Sequence, residues 1–270
     1  MRADRRAAES LLAFWAEAGV DVALAEDPQD RTAAGREALA RRPAVQKAAS
    51  PATLVPARSI EAFDAGAVAV ARGAAAAAGD LPGLAAAIAA FDGCPLKHQG
   101  ARQAVFSRGA ANAHVMVIGE GPGGEEDLQG APFVGRAGKL LDKMLAAAGL
   151  SERVFITNTV FWRPPGNRTP TPAEQAACAP FLERAIALVR PRILLLAGAA
   201  SAKHLLQRTE GILSLRGRWF EWRSEDGQIE LPALPTLHPA FLLRQPAAKK
   251  LAWNDFLTLT ERLDRGQRRT

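Results

Sequence analysis

The sequence predicts an α/β protein in which helices cover both faces of a parallel sheet. Three observations favour this fold class. From residue 105 onward, short apolar runs alternate with amphipathic helical patterns. The run Thr171-Pro172-Ala173-Glu174 is a capping box with proline at the first helical position. A glycine-rich loop follows the apolar strand Val115–Ile118, and ligands bind at such strand ends in open α/β sheets.

Residues 1–80 are expected to form a helical extension with a linker. Residues 6–25 contain an apolar stripe at helical spacing, and residues 27–60 mix proline, arginine, alanine and serine without periodicity. Residues 61–79 consist largely of alanine, so a helix there is expected to bury little. The main domain is expected to span residues 81–270.

Within the main domain, strands and helices follow each other in turn. The predicted strands are Val115–Gly119, Val154–Asn158, Ile193–Ala197, Arg216–Trp222 and Leu234–Leu237. The predicted helices are Leu81–Phe91, Arg136–Gly149, a helix from the capping box to about Val189, a helix ending at Leu206, and Lys249–Leu263. Because helices separate successive strands, the strands are expected to run parallel.

The glycine-rich loop Gly119–Asp127 is the segment around which this domain is organised. Its glycines allow sharp turns and close approach of the backbone to a ligand. Its spacing differs from the dinucleotide pattern G-x-G-x-x-G, and it lacks the G-K-[ST] of a P-loop. Its acidic residues would also repel a pyrophosphate. On these residues alone, a generic strand-to-helix turn is the alternative.

Polar and aromatic residues occupy further loops that are expected to meet this one. Phe133, between Pro132 and Val134, either folds back as a plug or offers a flat face to a flat ligand. Asn158 ends the second strand, and His238 follows the last one. At the carboxyl ends of parallel strands these residues and Glu120 are expected to share one cleft. Separately, the asparagine can merely cap a turn and the histidine can merely anchor a loop.

Composition limits the class of partner and the compartment. The net charge of +6 is uneven, because residues 1–90 have a net charge of −1 and residues 91–270 one of +7. A basic domain suits a polyanionic partner, although an ordinary soluble basic protein is the alternative. With no apolar run of spanning length and no signal-like start, a cytoplasmic protein without a membrane partner is expected. The cysteines, Cys94 and Cys178, are too few for a disulfide framework.

Taken together, five motifs resemble the uracil-DNA glycosylase superfamily, and most closely its family-4 branch from thermostable bacteria and archaea. They are GEGPGGEED, PFVGRAG, the asparagine that opens the next loop, RPPGNRTP and HPAFLLR, over about residues 91–262. The resemblance implies a three-layer α/β/α fold with a central, mostly parallel four-stranded sheet. It also implies a monomeric base-flipping hydrolase for deoxyuridine in DNA, single- or double-stranded, that acts in base excision repair.

The resemblance implies a role for each candidate residue. Glu120 orients or activates water, with a backbone role as the alternative, and His238 donates a hydrogen bond to uracil O2 as it leaves. Phe133 stacks on the base, Asn158 recognises O4 and N3–H, and the backbone at Gly121 contacts uracil or a phosphate. The residues expected to grip DNA or enter the duplex are Arg163, Arg168, Leu242, Leu243 and Arg244.

The chain departs from the resembled family at the iron–sulfur site. Family-4 members hold a [4Fe–4S] cluster with two separated pairs of cysteines. Cys94 and Cys178 match one position of each pair, whereas Phe91 and Trp162 stand at the other positions. Two thiolates cannot hold a cubane that needs four. We therefore expect no cofactor and no metal, with aromatic packing in that space.

Two other functions are compatible with the same motifs. One is a protein that binds uracil-containing DNA, or traps its sugar covalently, with little turnover. The other is an enzyme for small nucleotides on a similar sheet, which the basic charge of the domain disfavours. An abasic product from a uracil-containing oligonucleotide would distinguish hydrolysis from both.

Overall fold

The computed structural model describes residues 65–267, in which helices pack on a six-stranded sheet. The strands are β1 Arg108–Gly109, β2 Val115–Gly119, β3 Val154–Asn158, β4 Ile193–Ala197, β5 Phe220–Arg223 and β6 Glu230–Thr236. The helices are α1 Ala65–Ala77, α2 Leu81–Ala90, α3 Gly124–Gln129, α4 Arg136–Ala147, α5 Pro172–Val189, α6 Ala199–Leu206, α7 Ile212–Leu215, α8 Pro239–Arg244 and α9 Lys249–Gln267. Among the helices of this part of the chain, none has the length and apolar character needed to cross a bilayer.

The strand order of the sheet is β1-β3-β2-β4-β6-β5. The four middle strands, β3, β2, β4 and β6, run parallel to one another, which confirms the predicted parallel centre. Strands β1 and β5 add antiparallel edges, so the sheet has six strands rather than the four predicted and is more mixed. The two-residue strand β1 was not predicted from the sequence. Strand β5 overlaps the predicted strand Arg216–Trp222, but it forms an antiparallel hairpin with β6 instead of running parallel.

Alternate residues of the central strands enter two hydrophobic cores, one on each face of the sheet. On one face, Met116 and Ile118 pack in a core that includes Phe181 of α5. On the other face, Val115 and Val117 pack with side chains of α4 and α9. Burial on both faces explains why these strands are continuous apolar runs, and it produces the three layers that the sequence predicts.

Helix α1 contributes more to the core than its alanines suggest. Ala71 is completely buried and Ala75 nearly so, in the same hydrophobic cluster as α5. Small side chains let two helices approach closely, so the expectation that this segment buries little was wrong. The boundary of the catalytic domain at residue 81 stays a prediction. The predicted helix at residues 6–25 lies outside the described residues.

The capping box at the start of α5 is confirmed. Thr171 Oγ1 accepts a hydrogen bond from Glu174 N at 3.3 Å, and Glu174 Oε2 accepts one from Thr171 N at 2.8 Å. These reciprocal bonds satisfy amides that a helix start leaves without partners. They also fix the end of the loop that connects β3 with α5.

The register of the sheet brings the carboxyl ends of its central strands to one edge. Gly119 of β2 lies opposite Asn158 of β3, and Ala197 of β4 lies opposite Thr236 of β6. The glycine-rich loop therefore begins beside Asn158. His238 lies two residues after Thr236, at the same edge of the sheet.

Candidate active site

A cavity of about 600 Å³ opens at this edge of the sheet, between the loops that follow β2, β3, β4 and β6. Seven predicted site residues line it: Glu120, Gly121, Phe133, Asn158, Arg168, His238 and Arg244. Another cavity, of about 410 Å³, lies between α1, α5 and the β5–β6 turn and contains none of the predicted residues. The first cavity is therefore the candidate active site.

The start of the glycine-rich loop is packed too tightly for a side chain. A Cβ atom at Gly119 would collide with the Asn158 amide oxygen and would lie 2.6 Å from the Phe133 ring. A Cβ atom at Gly121 would lie 2.9 Å from a methyl group of Val160. Glycine at position 119 thus allows the asparagine and the phenylalanine to meet at the base of the cavity.

Phe133 lies in the wall of the cavity in an uncommon backbone conformation. Its φ of 55° is left-handed, a region that bulky side chains rarely enter. Its ring is nearly buried and stands 5.5 Å from the His238 ring, with 31° between the planes. Gly138 of α4 makes this fold possible, because a Cβ atom there would collide with the Phe133 carbonyl oxygen. The ring is therefore held in the wall of the cavity, beside the His238 ring.

Asn158 combines deep burial with an unused amide. The residue is 1% exposed at the end of β3, and its side chain lines the cavity. Within residues 65–267, this amide makes no hydrogen bond to another group of the protein. Since the amide faces the cavity, its donor and acceptor are available to a ligand.

His238 is a neutral histidine at the start of α8. Its Nδ1 accepts a hydrogen bond from Ala240 N at 3.2 Å, so the neutral ring carries its proton on Nε2. Burial lowers the pKa of His238 to about 4, helped by the charge of Arg244 and opposed by that of Glu126. The ring is therefore an uncharged hydrogen-bond donor at neutral pH.

Glu120 is held by its backbone and keeps its side chain free. Its carbonyl oxygen accepts a hydrogen bond of 2.6 Å from Thr159 Oγ1, which also accepts one of 3.3 Å from Gln175 Nε2. The Glu120 carboxylate has no hydrogen bond or ion pair with any residue of the described range. This half-buried carboxylate in the cavity wall is available to a water molecule or a developing positive charge.

Two of the predicted DNA-binding arginines differ in their surroundings. The Arg168 guanidinium donates two hydrogen bonds, of 2.8 and 2.6 Å, to the carboxylate of Glu174, and this contact raises the pKa of Arg168. Arg168 is therefore ion-paired with Glu174, while its own side chain stays 39% exposed. Arg163 donates from Nε to Asn167 Oδ1 at 2.7 Å and leaves its terminal nitrogens open. The Arg163 terminal nitrogens are thus the less committed of the two guanidinium groups.

The segment from Leu242 to Arg244 divides between core and surface. Leu242 is fully buried in a cluster with Leu237 and Ala252, so this structure does not offer it to DNA as predicted. Leu243 is 37% exposed, and Arg244 is exposed on the cavity wall. The short helix α8 explains the difference, because neighbouring residues of a helix point in different directions.

Two polar residues near the site did not emerge from the sequence. The Glu126 carboxylate accepts hydrogen bonds from the backbone amides of Gly123, Val134 and Gly135. Thr159 holds the backbone of Glu120 from a fully buried position. A signal existed for Glu126, since it stands three residues after Gly123, where a capping-box carboxylate belongs. The role of the threonine has no comparable signal.

In this chain, aromatic rings fill the region that corresponds to the iron–sulfur site of the resembled family. The sulfur atoms of the buried Cys94 and Cys178 lie 3.9 Å apart. The Phe91 ring packs edge to face on Phe181, with centroids 5.1 Å apart, and lies 6.5 Å from the fully buried Trp162. No group of three or more histidine, cysteine or acidic side chains within residues 65–267 could hold a metal ion. These residues do not fit a cluster that needs four thiolates.

Comparison with known proteins agrees with this geometry. The model of the uracil DNA glycosylase superfamily matches residues 106–257. A type-4 uracil-DNA glycosylase of Pyrobaculum aerophilum is 41% identical over 175 residues, which cover 63% of this chain and 88% of the relative. Enzymes of that name from Saccharolobus solfataricus and Thermotoga maritima are each 41% identical, over 60% and 56% of this chain and 77% of each relative. The chain belongs to the uracil-DNA glycosylase superfamily.

Proposed function

We propose that this protein is a DNA-repair glycosylase that hydrolyses the N-glycosidic bond of deoxyuridine in DNA, releasing uracil and leaving an abasic site. The observation that carries the proposal is the meeting of Phe133, Asn158 and His238 in one cavity. Its membership of the superfamily and the names of its relatives support the same activity. Such a product belongs to base excision repair.

The cavity recognises a base only after that base has left the helix. Phe133 and Asn158 are buried in the cavity wall, so a stacked base cannot reach them and must be flipped out of the duplex. Phe133 then covers one face of the ring. The Asn158 amide donates to uracil O4 and accepts from N3–H. Cytosine has an amino group at C4 and no proton on N3, so the same amide disfavours it.

The departing base is stabilised by His238. When the glycosidic bond breaks, uracil leaves as an anion with charge on O2. The neutral imidazole donates its Nε2–H to that oxygen. A preorganised donor of this kind lowers a barrier by about 3–4 kcal/mol. The lowered pKa of His238 keeps the ring in this uncharged form at neutral pH.

The sugar left behind is positively charged and needs water. The free carboxylate of Glu120 offsets that charge and orients the water molecule that attacks C1′ of the sugar. Gly121, which adjoins it, places backbone amide groups against the base or a phosphate. Both residues line the cavity.

Contacts with DNA come from the rim of the cavity. Arg163 and Arg244 bind phosphates, and the exposed Leu243 enters the space that the flipped base vacates. Arg168 contributes less than predicted because Glu174 holds its guanidinium. We further propose that the protein acts without an iron–sulfur cluster, since two thiolates among packed aromatic rings cannot hold one.

The test is an end-labelled oligonucleotide with one uracil, as a single strand and in a duplex, at substrate excess. We expect alkali-sensitive abasic sites that accumulate over many turnovers, and no reaction with free deoxyuridine. A protein–DNA adduct stable in denaturant, at no more than one per enzyme, would identify covalent trapping. Retention of the uracil strand without cleavage would identify a binding protein. Either result would overturn the proposal.

A further inference from the structure

One carboxylate connects two of the loops that form the cavity. Glu126, the third residue of α3, accepts a hydrogen bond from Gly123 N through Oε2 at 3.1 Å. Its Oε1 accepts from Val134 N at 3.1 Å and from Gly135 N at 3.0 Å. The first amide belongs to the glycine-rich loop, and the other two directly follow Phe133.

The backbone on the other side of Phe133 is held by a positive charge. Arg108 Nε donates to the Pro132 carbonyl oxygen at 2.8 Å, and its Nη2 donates to the Phe133 carbonyl oxygen at 3.1 Å. Arg108 is itself fixed by Asp142 at 2.6 Å. The loop therefore lies between a carboxylate that binds its amides and a guanidinium that binds its carbonyls. Charge-assisted hydrogen bonds of both kinds are stronger than neutral ones.

This arrangement explains how Phe133 keeps its left-handed backbone. A φ of 55° is unfavourable for phenylalanine and persists only where neighbouring contacts enforce it. The two amides bound by Glu126 immediately follow the strained residue. Without them, only Arg108 would hold the peptide after Phe133, and the ring would be less firmly fixed beside His238.

We propose that Glu126 is a positioning residue for uracil recognition, which holds the Phe133 ring in the cavity wall through the amides of Val134 and Gly135. This inference rests on the proposed function, because the ring matters only if a flat base enters the cavity. Both oxygens of the Glu126 carboxylate are already bound to backbone amides. The roles of hydrogen-bond donor to uracil and ligand of the water molecule therefore belong to His238 and Glu120.

The first test compares Glu126→Gln with Glu125→Gln. Both changes remove one negative charge from the first turn of α3. The Glu125 side chain, however, is exposed and makes no hydrogen bond to any described residue. Steady-state kinetics on the uracil oligonucleotide are measured for both variants and for the wild type. We expect KM to rise about tenfold in Glu126→Gln with kcat changed less than threefold, and neither constant to change more than twofold in Glu125→Gln.

A double-mutant cycle tests the route through Phe133. If Glu126 acts by placing that ring, Glu126→Gln adds little to the defect of Phe133→Ala, so the two effects on kcat/KM are not additive. Thermal unfolding of each variant ensures that folded proteins are compared. If Glu126→Gln fails to fold, the cycle is run with Arg108→Met, which weakens the other side of the same loop.

The outcomes separate this inference from the proposed function. Additive effects in the cycle, or equal KM values for both glutamine variants, overturn the inference while excision by the wild type leaves the function intact. A folded wild type that releases no uracil overturns the function and the inference with it.

Discussion

The cavity and the region around Cys94 and Cys178 lie in the same domain but differ in how their side chains are packed and paired. Around the cavity, Asn158, Glu120 and the His238 Nε2–H have no partner among the described groups and face a space of about 600 Å³. Around Cys94 and Cys178, rings fill the volume. Polar groups left unpaired in a buried place cost stability, so they persist where a ligand uses them. The comparison separates what recognises a substrate from what only supports the fold.

The largest expected effect tests the packed region. Trp162→Ala removes a fully buried ring that contacts Phe161 and Phe91, and should lower the free energy of unfolding by about 3–5 kcal/mol. Trp253→Ala, at a partly buried position, is the control and should cost less. Urea denaturation measures both. Similar small losses in the two variants would show that the aromatic cluster is not a major support.

The next effect tests the cavity. His238→Ala removes the donor for uracil O2 and should slow excision by about a hundredfold or more, with nearly unchanged affinity for DNA. His98→Ala, at an exposed histidine outside the cavity, should keep the wild-type rate. Single-turnover excision and a binding assay provide the two numbers. A wild-type rate in His238→Ala would remove this histidine from the site.

The pH dependence of stability tests the protonation state of His238 in the cavity. The pKa of His238 is lowered from 6.5 to about 4, so between these values the unfolded chain binds a proton that the native ring does not. The His238 contribution therefore destabilises the protein as pH falls through this window, by about 2 kcal/mol at pH 5. In His238→Gln that part of the slope should vanish. An unchanged slope from pH 7 to pH 5 would contradict the lowered pKa.

A truncation tests whether helix α1 belongs to the supporting region. A chain that begins at Leu81 loses the buried face of Ala71 and Ala75, and Arg184 loses the Ala78 carbonyl oxygen to which it donates at 2.7 and 2.9 Å. We expect it to be less stable by on the order of 1–2 kcal/mol, with excision retained. A chain that begins at Ser59 is the control. A folded but inactive short form would place α1 within the catalytic machinery.

The smallest expected effect concerns the cysteines. The double variant Cys94→Ala, Cys178→Ala should excise uracil within about twofold of the wild type, because neither thiol lines the cavity. The wild type purified without oxygen should be colourless and contain no stoichiometric iron. Absorbance near about 400 nm, together with iron that disappears in the double variant, would show that these thiols hold a cluster.

The sequence predicts best the features that depend on local pattern. Strands β2, β3 and β4 are short apolar runs, and the capping box marks the start of α5, so their places follow from the residues. Convergence of Glu120, Asn158 and His238 follows in turn, because parallel strands end at one edge.

What the sequence does not reveal depends on how elements rotate and pair in space. Nothing local shows that Leu242 points into the core and Leu243 outward, since that depends on how α8 rests on the domain. The partner of Arg168 is six residues away and is fixed only once α5 is capped. The alanines of α1 likewise gain their burial from the close approach of another helix, which composition alone does not convey.

The ion pair between Arg168 and Glu174 affects how steeply the affinity for DNA falls with salt concentration. An arginine that binds a backbone phosphate releases a condensed counterion, and each such event steepens the fall of affinity with ionic strength. Arg168 already has a carboxylate at 2.6 Å, so it contributes little to this release. The salt dependence of DNA binding should therefore come mainly from Arg163, Arg244 and the remaining net positive charge of the domain, and little from Arg168.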